Sequence, residues 1–326
     1  MNNILVVGGA GYVGGAVVDL LLTDQLFPKT VPGYVSYNVT VYDNLLYEDS
    51  FRKNVNFVYG DIRDKEKLKP LLDKSHSVIW LAALVGDGAC QINPELTKEI
   101  NSETLGWLAE NYNGRIIFMS TCSVYGAQDI ELDETSPTKP LSAYASSKLI
   151  AEKYLEKKNA LIFRLGTLFG VGDQFSRIRL DLVVNVLTMK ACTSGQLDVY
   201  GGDQFRPLLH VKDVAQTIAN NLYTSATGIY NLHKQNVRIT DLAYQVRNHF
   251  PDIKINHTDL PFEDLRNYRV SSVKAQKILK FNPSYSIDSG IEEIKYLIES
   301  RRIKDLTSPR YSNQAYLTKL NYEKEN

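Results

Sequence analysis

Gly8-Gly9-Ala10-Gly11-Tyr12-Val13-Gly14 follows directly on the apolar run at residues 4–7, and the reading of this stretch decides the fold. Glycines at Gly8, Gly11 and Gly14 permit a tight turn and a close approach of backbone N–H groups to a bound anion. The strand-like run before them and the apolar helix after them, from about residue 15 to 22, give that spacing its meaning. A pyrophosphate on the positive end of such a helix is the ligand this arrangement accepts. Glycines that merely make a turn are the alternative, and the flanking elements argue against it.

Working outward, residues 4–7, 39–42, 56–58, 78–81, 116–119 and 161–164 are brief, apolar, rich in β-branched side chains and bounded by turn residues. Helical stretches separate them. The alternation predicts βαβ units in an α/β fold, a Rossmann-type doubly wound parallel sheet with a smaller C-terminal substrate-binding α/β region. Residues 1–172 read as the dinucleotide-binding part, completed by about residues 208–233; residues 173–207 and 234–326 read as the substrate-binding part. Residues 27–37, with Pro28 and Pro32, read as a surface loop. The tail after about residue 305 is polar and reads as loose.

Asp43 ends the second predicted strand, where a carboxylate accepts hydrogen bonds from the adenosine ribose hydroxyls of a dinucleotide. It would repel a 2′-phosphate, and Asn44 and Leu45 beside it supply no cation, so the expected cofactor is NAD rather than NADP.

Composition narrows the partners. Lysine plus arginine and aspartate plus glutamate are equal at 37 each, leaving no basic surplus for a nucleic-acid backbone or an anionic membrane. No stretch approaches the roughly 20 apolar residues of a membrane span. The first residues lack the pattern of a signal peptide. Cys90, Cys122 and Cys192 show neither paired nor metal-ligand spacing, so no metal is expected and reduced thiols in a cytoplasmic protein are the simplest account.

Tyr144 and Lys148 are four apart in a helix-favouring stretch and share one helical face. A phenol that works near pH 7 needs a shift of about three units, or about 4 kcal/mol in favour of phenolate. A nearby ammonium and a cationic nicotinamide supply it. Such a pair also arises by chance in amphipathic helices. A third element weighs against chance: Ser120, Thr121 and Ser123 follow the fifth strand, where a hydroxyl faces the cofactor crevice and can bond the substrate oxygen. At least one of the three is expected to serve only a turn or cap.

Together the Gly8 to Gly14 fingerprint, Asp61-Ile62, the block from Ser120 to Gly126 and Tyr144-x-x-x-Lys148 resemble the extended short-chain dehydrogenase/reductase superfamily, in its NAD-dependent sugar-nucleotide epimerase/dehydratase group. The resemblance spans roughly residues 3–295. It implies Tyr144 as base, Thr121 beside the sugar 4-oxygen, and Lys148 also holding the nicotinamide ribose. It further implies cofactor contacts from Tyr12, Val13, Asn44, Asp61, Ile62, Leu81, Ala82, Ala83 and Asn101. On the substrate side it points to Ser123, Thr167, Asp181, Leu197, Val199 and Tyr200, and to Arg206 as ligand of the diphosphate. Leu197, Val199 and Tyr200 have core packing as their alternative. His210 reads as structural.

Three departures from the family pattern matter. Cys122 and Ser123 stand where similar 4,6-dehydratases carry Asp and Glu, which disfavours water elimination. Thr167 replaces a frequent asparagine. A late family arginine falls near Pro261, leaving Arg266 or Arg269 as substitutes, with Asp264 close by. The expected reaction is NAD-dependent oxidation and reduction at C4 of a nucleoside-diphosphate sugar, completed as 4-epimerisation. A 4-dehydrogenase, for example on a GDP-linked heptose or hexose, and a 4-keto reductase are the alternatives. A scaffold that lost the chemistry is not expected, because tyrosine, lysine and hydroxyl are all present. Similar proteins also imply a homodimer.

Overall fold

The computed structural model describes residues 2–26, 37–172, 175, 177–258 and 267–325. The loop expected at residues 27–37 lies outside these except for Tyr37, which opens a strand, and Pro261, Asp264 and Arg266 lie outside them too. At the centre is a seven-stranded parallel sheet. Its order across the molecule is Gly228–Leu232, Ala160–Leu165, Arg115–Thr121, Ser77–Trp80, Asn2–Val7, Tyr37–Asp43, Asn56–Tyr59. All six predicted strands are present, and the seventh, Gly228–Leu232, extends the sheet beside Ala160–Leu165.

The first strand explains why its sequence is continuously apolar. Ile4 and Val6 point to one face, against Val17 and Leu21 of the Tyr12–Leu26 helix and Val214 and Ile218 of the Val211–Asn221 helix. Leu5 and Val7 point to the other, against Leu68 and Leu72 of Lys65–Asp73 and Leu155 of Ala143–Leu155. A strand covered on both faces has no solvated side to populate with polar residues. Each such aliphatic side chain contributes about 1.5–3 kcal/mol by its burial.

Strand order reverses between Asn2–Val7 and Ser77–Trp80, and a doubly wound sheet opens a ligand crevice at that switch point. The helix after the glycine turn starts at Tyr12, earlier than the expected residue 15, and continues to Leu26. Beyond the sheet, Thr167–Phe169, Phe205–His210 and Gln235–Arg238 form a second sheet, and Gln196–Tyr200 pairs with Lys254–Thr258. These strands share an apolar core of Leu187, Leu197, Leu208, Leu242, Val246 and Ile291.

The tail is not loose. Asn313–Glu325 is a helix packed against the short helix Asp87–Ile92. Asn313 is pinned at both ends: its backbone N–H donates to Asp181 Oδ2 at 2.9 Å and its Nδ2 to the Val85 carbonyl at 2.7 Å. Leu317 packs on the apolar cluster that includes Tyr144, Leu84 and Cys90, and this anchors a segment whose overall polarity reads as solvent-exposed. Among the described residues no helix is long and apolar enough to cross a membrane.

Candidate active site

A cavity of about 1020 Å³ lies at the switch point. The glycine turn forms one part of its wall, and two glycines there admit no side chain. Gly8 has φ +87, and a Cβ on it would lie 2.4 Å from the Ala82 nitrogen. A Cβ on Gly14 would lie 2.1 Å from the Gly8 carbonyl oxygen, so the first helical turn is drawn down onto the strand end. Tyr12 secures that turn from its far side, its hydroxyl donating to the Gly170 carbonyl at 2.7 Å.

Asp43 lines the cavity at the end of the second strand. Its Oδ2 accepts from Ala10 N at 2.9 Å and its Oδ1 from Leu45 N at 2.8 Å, which locks the carboxylate to the glycine turn. Burial pushes its carboxyl up, with the N–H groups of Ala10, Leu45 and Asn44 opposing. Gly11, Val13, Asn44, Asp61, Ile62, Leu81, Ala82 and Ala83 line the same cavity. Asp61 chelates Arg63, whose Nε donates at 2.9 Å, and Asp64 caps the next helix. A backbone cradle that a Cβ would fill, a helix N-terminus and a strand-end carboxylate fit NAD. Asn101 is a correction. It is fully buried, bonded at 2.9 Å to both the N–H and the carbonyl of Leu84, and does not line the cavity; it braces the backbone behind the cofactor side.

Thr121, Tyr144 and Lys148 come together on one wall. Thr121 ends the fifth strand, and Ser142 caps the Ala143–Leu155 helix by accepting from Ala145 N at 3.2 Å, which sets Tyr144 in the first turn. Burial pushes the Tyr144 phenol above its usual range. Cys90 and Asp87 add to this, while Arg179 and a hydrogen bond with Thr121 oppose it. Lys148 is 3% exposed, donates from Nζ to the Met119 carbonyl at 2.9 Å, and is pushed down to about 8 by burial. The acidified phenol expected here calls for the cationic nicotinamide as well as the ammonium, and in the chain by itself burial sets the direction at both residues.

Of the three hydroxyls it is Thr121 that caps the turn at Cys122–Tyr125, its Oγ1 accepting from Ser123 N at 3.1 Å, and it lines the cavity as well. Ser120 bonds Glu152, which is itself ion-paired with Arg164 at 2.6 Å, both nearly fully buried. Cys122 is buried against the Arg164 carbonyl at 3.2 Å, and burial pushes its thiol up. Ser123 lines the cavity with its Oγ 3.3 Å from the Tyr268 hydroxyl.

On the substrate side, Thr167, Asp181, Val199, Tyr200 and Arg206 line the cavity. Arg206 is 4% exposed and donates to the Phe205 carbonyl at 2.9 Å. Leu197 does not line it: the side chain is fully buried in the second region's core, so core packing is its role. Arg269 is also away from the cavity, its guanidinium 5.2 Å over the Phe205 ring and its Nη2 donating to the Asp129 carbonyl. Arg266 lies outside the described residues. His210 is fully buried, bonded to Glu293 at 2.9 Å and stacked on Tyr285, a structural histidine. Tyr47, Arg177, Arg179, Tyr268 and residues 312–314 also line the cavity and were not anticipated. The alternation of charged and apolar residues in Arg177-Ile178-Arg179-Leu180-Asp181 is a local signal from which part of this set could have been read.

Sheet order and glycine cradle define a dinucleotide-binding protein of the Rossmann class. The chain belongs to the NAD dependent epimerase/dehydratase family, whose model matches residues 4–232, and it is an NAD-dependent enzyme. A UDP-glucose 4-epimerase of Rhizobium meliloti is 34% identical over 163 residues, covering 48% of this chain and 46% of that protein. A dTDP-glucose 4,6-dehydratase of Streptomyces niveus is 25% identical over 325 residues, covering 89% and 90%. The crystal structure of UDP-glucose 4-epimerase with UDP-glucose from Thermotoga maritima superposes with a TM-score of 0.76 at 21% identity, over 91% of this chain and 99% of that one. At that identity the likeness concerns the fold.

Proposed function

We propose that this enzyme oxidises and re-reduces C4 of a nucleoside-diphosphate sugar and releases the 4-epimer. The observation that carries this reading is the shared wall of Thr121, Tyr144 and Lys148 in the cavity that also contains the glycine cradle. NAD, when bound, supplies the hydride acceptor and donor. Its holders are the Gly8 to Gly14 turn, Asp43, Asp61 and Ile62. Thr121, on the same cavity as Tyr144, orients the sugar 4-hydroxyl, and the Tyr144 oxygen takes that proton and later returns it. Lys148, fixed on the Met119 carbonyl one helical turn after Tyr144, supplies the positive charge that favours phenolate. Arg206 clamps the substrate diphosphate.

Cys122 and Ser123 argue against dehydration. One is sealed against a backbone carbonyl and the other is a neutral hydroxyl, so neither protonates a leaving group as a carboxylic acid does. Epimerisation rather than net dehydrogenation requires that NADH and the 4-keto sugar both stay bound between the two hydride transfers. Incubation with UDP-, dTDP-, CDP- and GDP-linked sugars, with product stereochemistry and NADH both followed, tests the proposal. The expected result is a 4-epimer without net NADH; stoichiometric NADH with a keto product would replace it with the dehydrogenase reading. The active form we propose is a cytoplasmic homodimer, which sedimentation and fractionation would check.

A further inference from the structure

Part of the cavity wall holds a cluster that the roles above leave unused. Arg177, Tyr47 and Asn313 come from distant parts of the chain, and each carries a buried polar atom without a hydrogen-bond partner: Nε of Arg177, the hydroxyl of Tyr47 and Oδ1 of Asn313. They are physically joined. The Arg177 guanidinium lies 3.6 Å over the Tyr47 ring, and its Nη2 donates at 3.2 Å to the carbonyl of Arg310, three residues ahead of Asn313.

Charge singles out Arg177 from its neighbours. Arg179 is paired with Asp181 through two contacts of 2.9 Å, and Arg310 with Glu48 at 3.3 Å and Asp49 at 3.4 Å. Arg177 is 5% exposed and makes no ion pair among the described residues; Asp181 and Glu48 act on it only from farther away. Buried polar groups are normally satisfied, and a buried cation needs a counter-ion. The Tyr47 hydroxyl, pushed up to about 12 by burial, keeps its proton and remains a donor. Both residues line the cavity, and a guanidinium stacked on a phenol, each with a donor that the chain leaves unused, matches an oxyanion.

We propose that Arg177 and Tyr47 form an oxyanion subsite that takes a phosphate or carboxylate of a bound ligand, while the unused Oδ1 of Asn313 in the C-terminal segment, an acceptor, suits a hydroxyl beside that group. Two sources share this chemistry: the diphosphate of either bound nucleotide, and an acidic group on the sugar. The inference rests on the cavity holding NAD and a nucleoside-diphosphate sugar, and not on the chemistry of Tyr144.

The test uses the full chain as wild type, Arg177→Gln, Tyr47→Phe and Asn313→Asp, the last placing a negative charge at the subsite. Dissociation constants are measured for NADH by fluorescence and for UDP-glucose and UDP-glucuronic acid by calorimetry. The variants are expected to weaken at least one ligand by about tenfold or more. Loss confined to NADH assigns the dinucleotide diphosphate, loss for both UDP-sugars assigns their diphosphate, and loss for UDP-glucuronic acid alone assigns an acidic sugar group. All three constants within about twofold of wild type in every variant would overturn the proposal. If Arg177→Gln melts early, Tyr47→Phe, which removes one oxygen and keeps the stacked ring, decides by the same criterion. Failure of the Tyr144 reading would show in turnover, whereas failure of this one shows in the binding constants of the Arg177, Tyr47 and Asn313 variants, so the two fail separately.

Discussion

Lys148 Nζ donates to the Met119 carbonyl at 2.9 Å, so the cation beneath the site is tied to the strand that ends, two residues later, in Thr121. Helix and strand are thereby held in one register, and the phenol one turn before the lysine inherits it. Burial sets the lysine's proton affinity, lowering it from 10.5 to about 8.

A pH dependence of stability follows. Below about pH 8 the lysine is protonated in both folded and unfolded chains, and its burial costs stability. Between about 8 and 10.5 the folded chain gives up the proton first, so stability rises with pH, by on the order of 3 kcal/mol across the window. The difference in unfolding free energy between wild type and Lys148→Met is expected to shift by that amount in urea titrations over this range. A difference independent of pH would contradict it.

Gly14→Ala is expected to damage the cofactor cradle specifically. The new Cβ would meet the Gly8 carbonyl at 2.1 Å and the Gly9 Cα at 2.7 Å, both backbone atoms that cannot swing away. We expect a loss of about 1–3 kcal/mol in stability and at least about tenfold in NADH affinity, read by melting and fluorescence titration. Unchanged affinity would show that the turn does not hold the dinucleotide.

Glu152→Ala leaves the Arg164 guanidinium, 4% exposed, without its carboxylate. The expected cost is about 3–5 kcal/mol in denaturant unfolding. Because Ser120 also loses its partner beside Thr121, turnover should fall as well. Pairing the change with Arg164→Met should recover much of the stability, since an apolar pair needs no counter-charge. Failure to recover would place the cost in lost packing instead.

The parts of this molecule read correctly from sequence are those where local pattern and tertiary demand coincide. Ile4 to Val7 is apolar at every position because both sheet faces are covered, and Gly8 and Gly14 are glycine because backbone passes within 2.8 Å of where a Cβ would sit. What escaped depends on distant partners. Leu197 and Val199 have the same periodicity in one strand, yet only Val199 reaches the cavity. Asn101 is spent on the backbone of Leu84. Asn313 is held by Val85 and Asp181, 228 and 132 positions away, and no local pattern in a polar tail announces such contacts. Arg177 draws its meaning from Tyr47 for the same reason.

The central claim is that the Tyr144 oxygen moves the proton of the sugar hydroxyl. Its most direct test is the single-turnover rate at which wild type and Tyr144→Phe reduce bound NAD, followed by nicotinamide absorbance on mixing with the nucleotide sugar that the substrate panel identifies. The account predicts a fall of about 10²–10⁴-fold in the variant with NAD affinity unchanged. A variant rate within about threefold of wild type would contradict it.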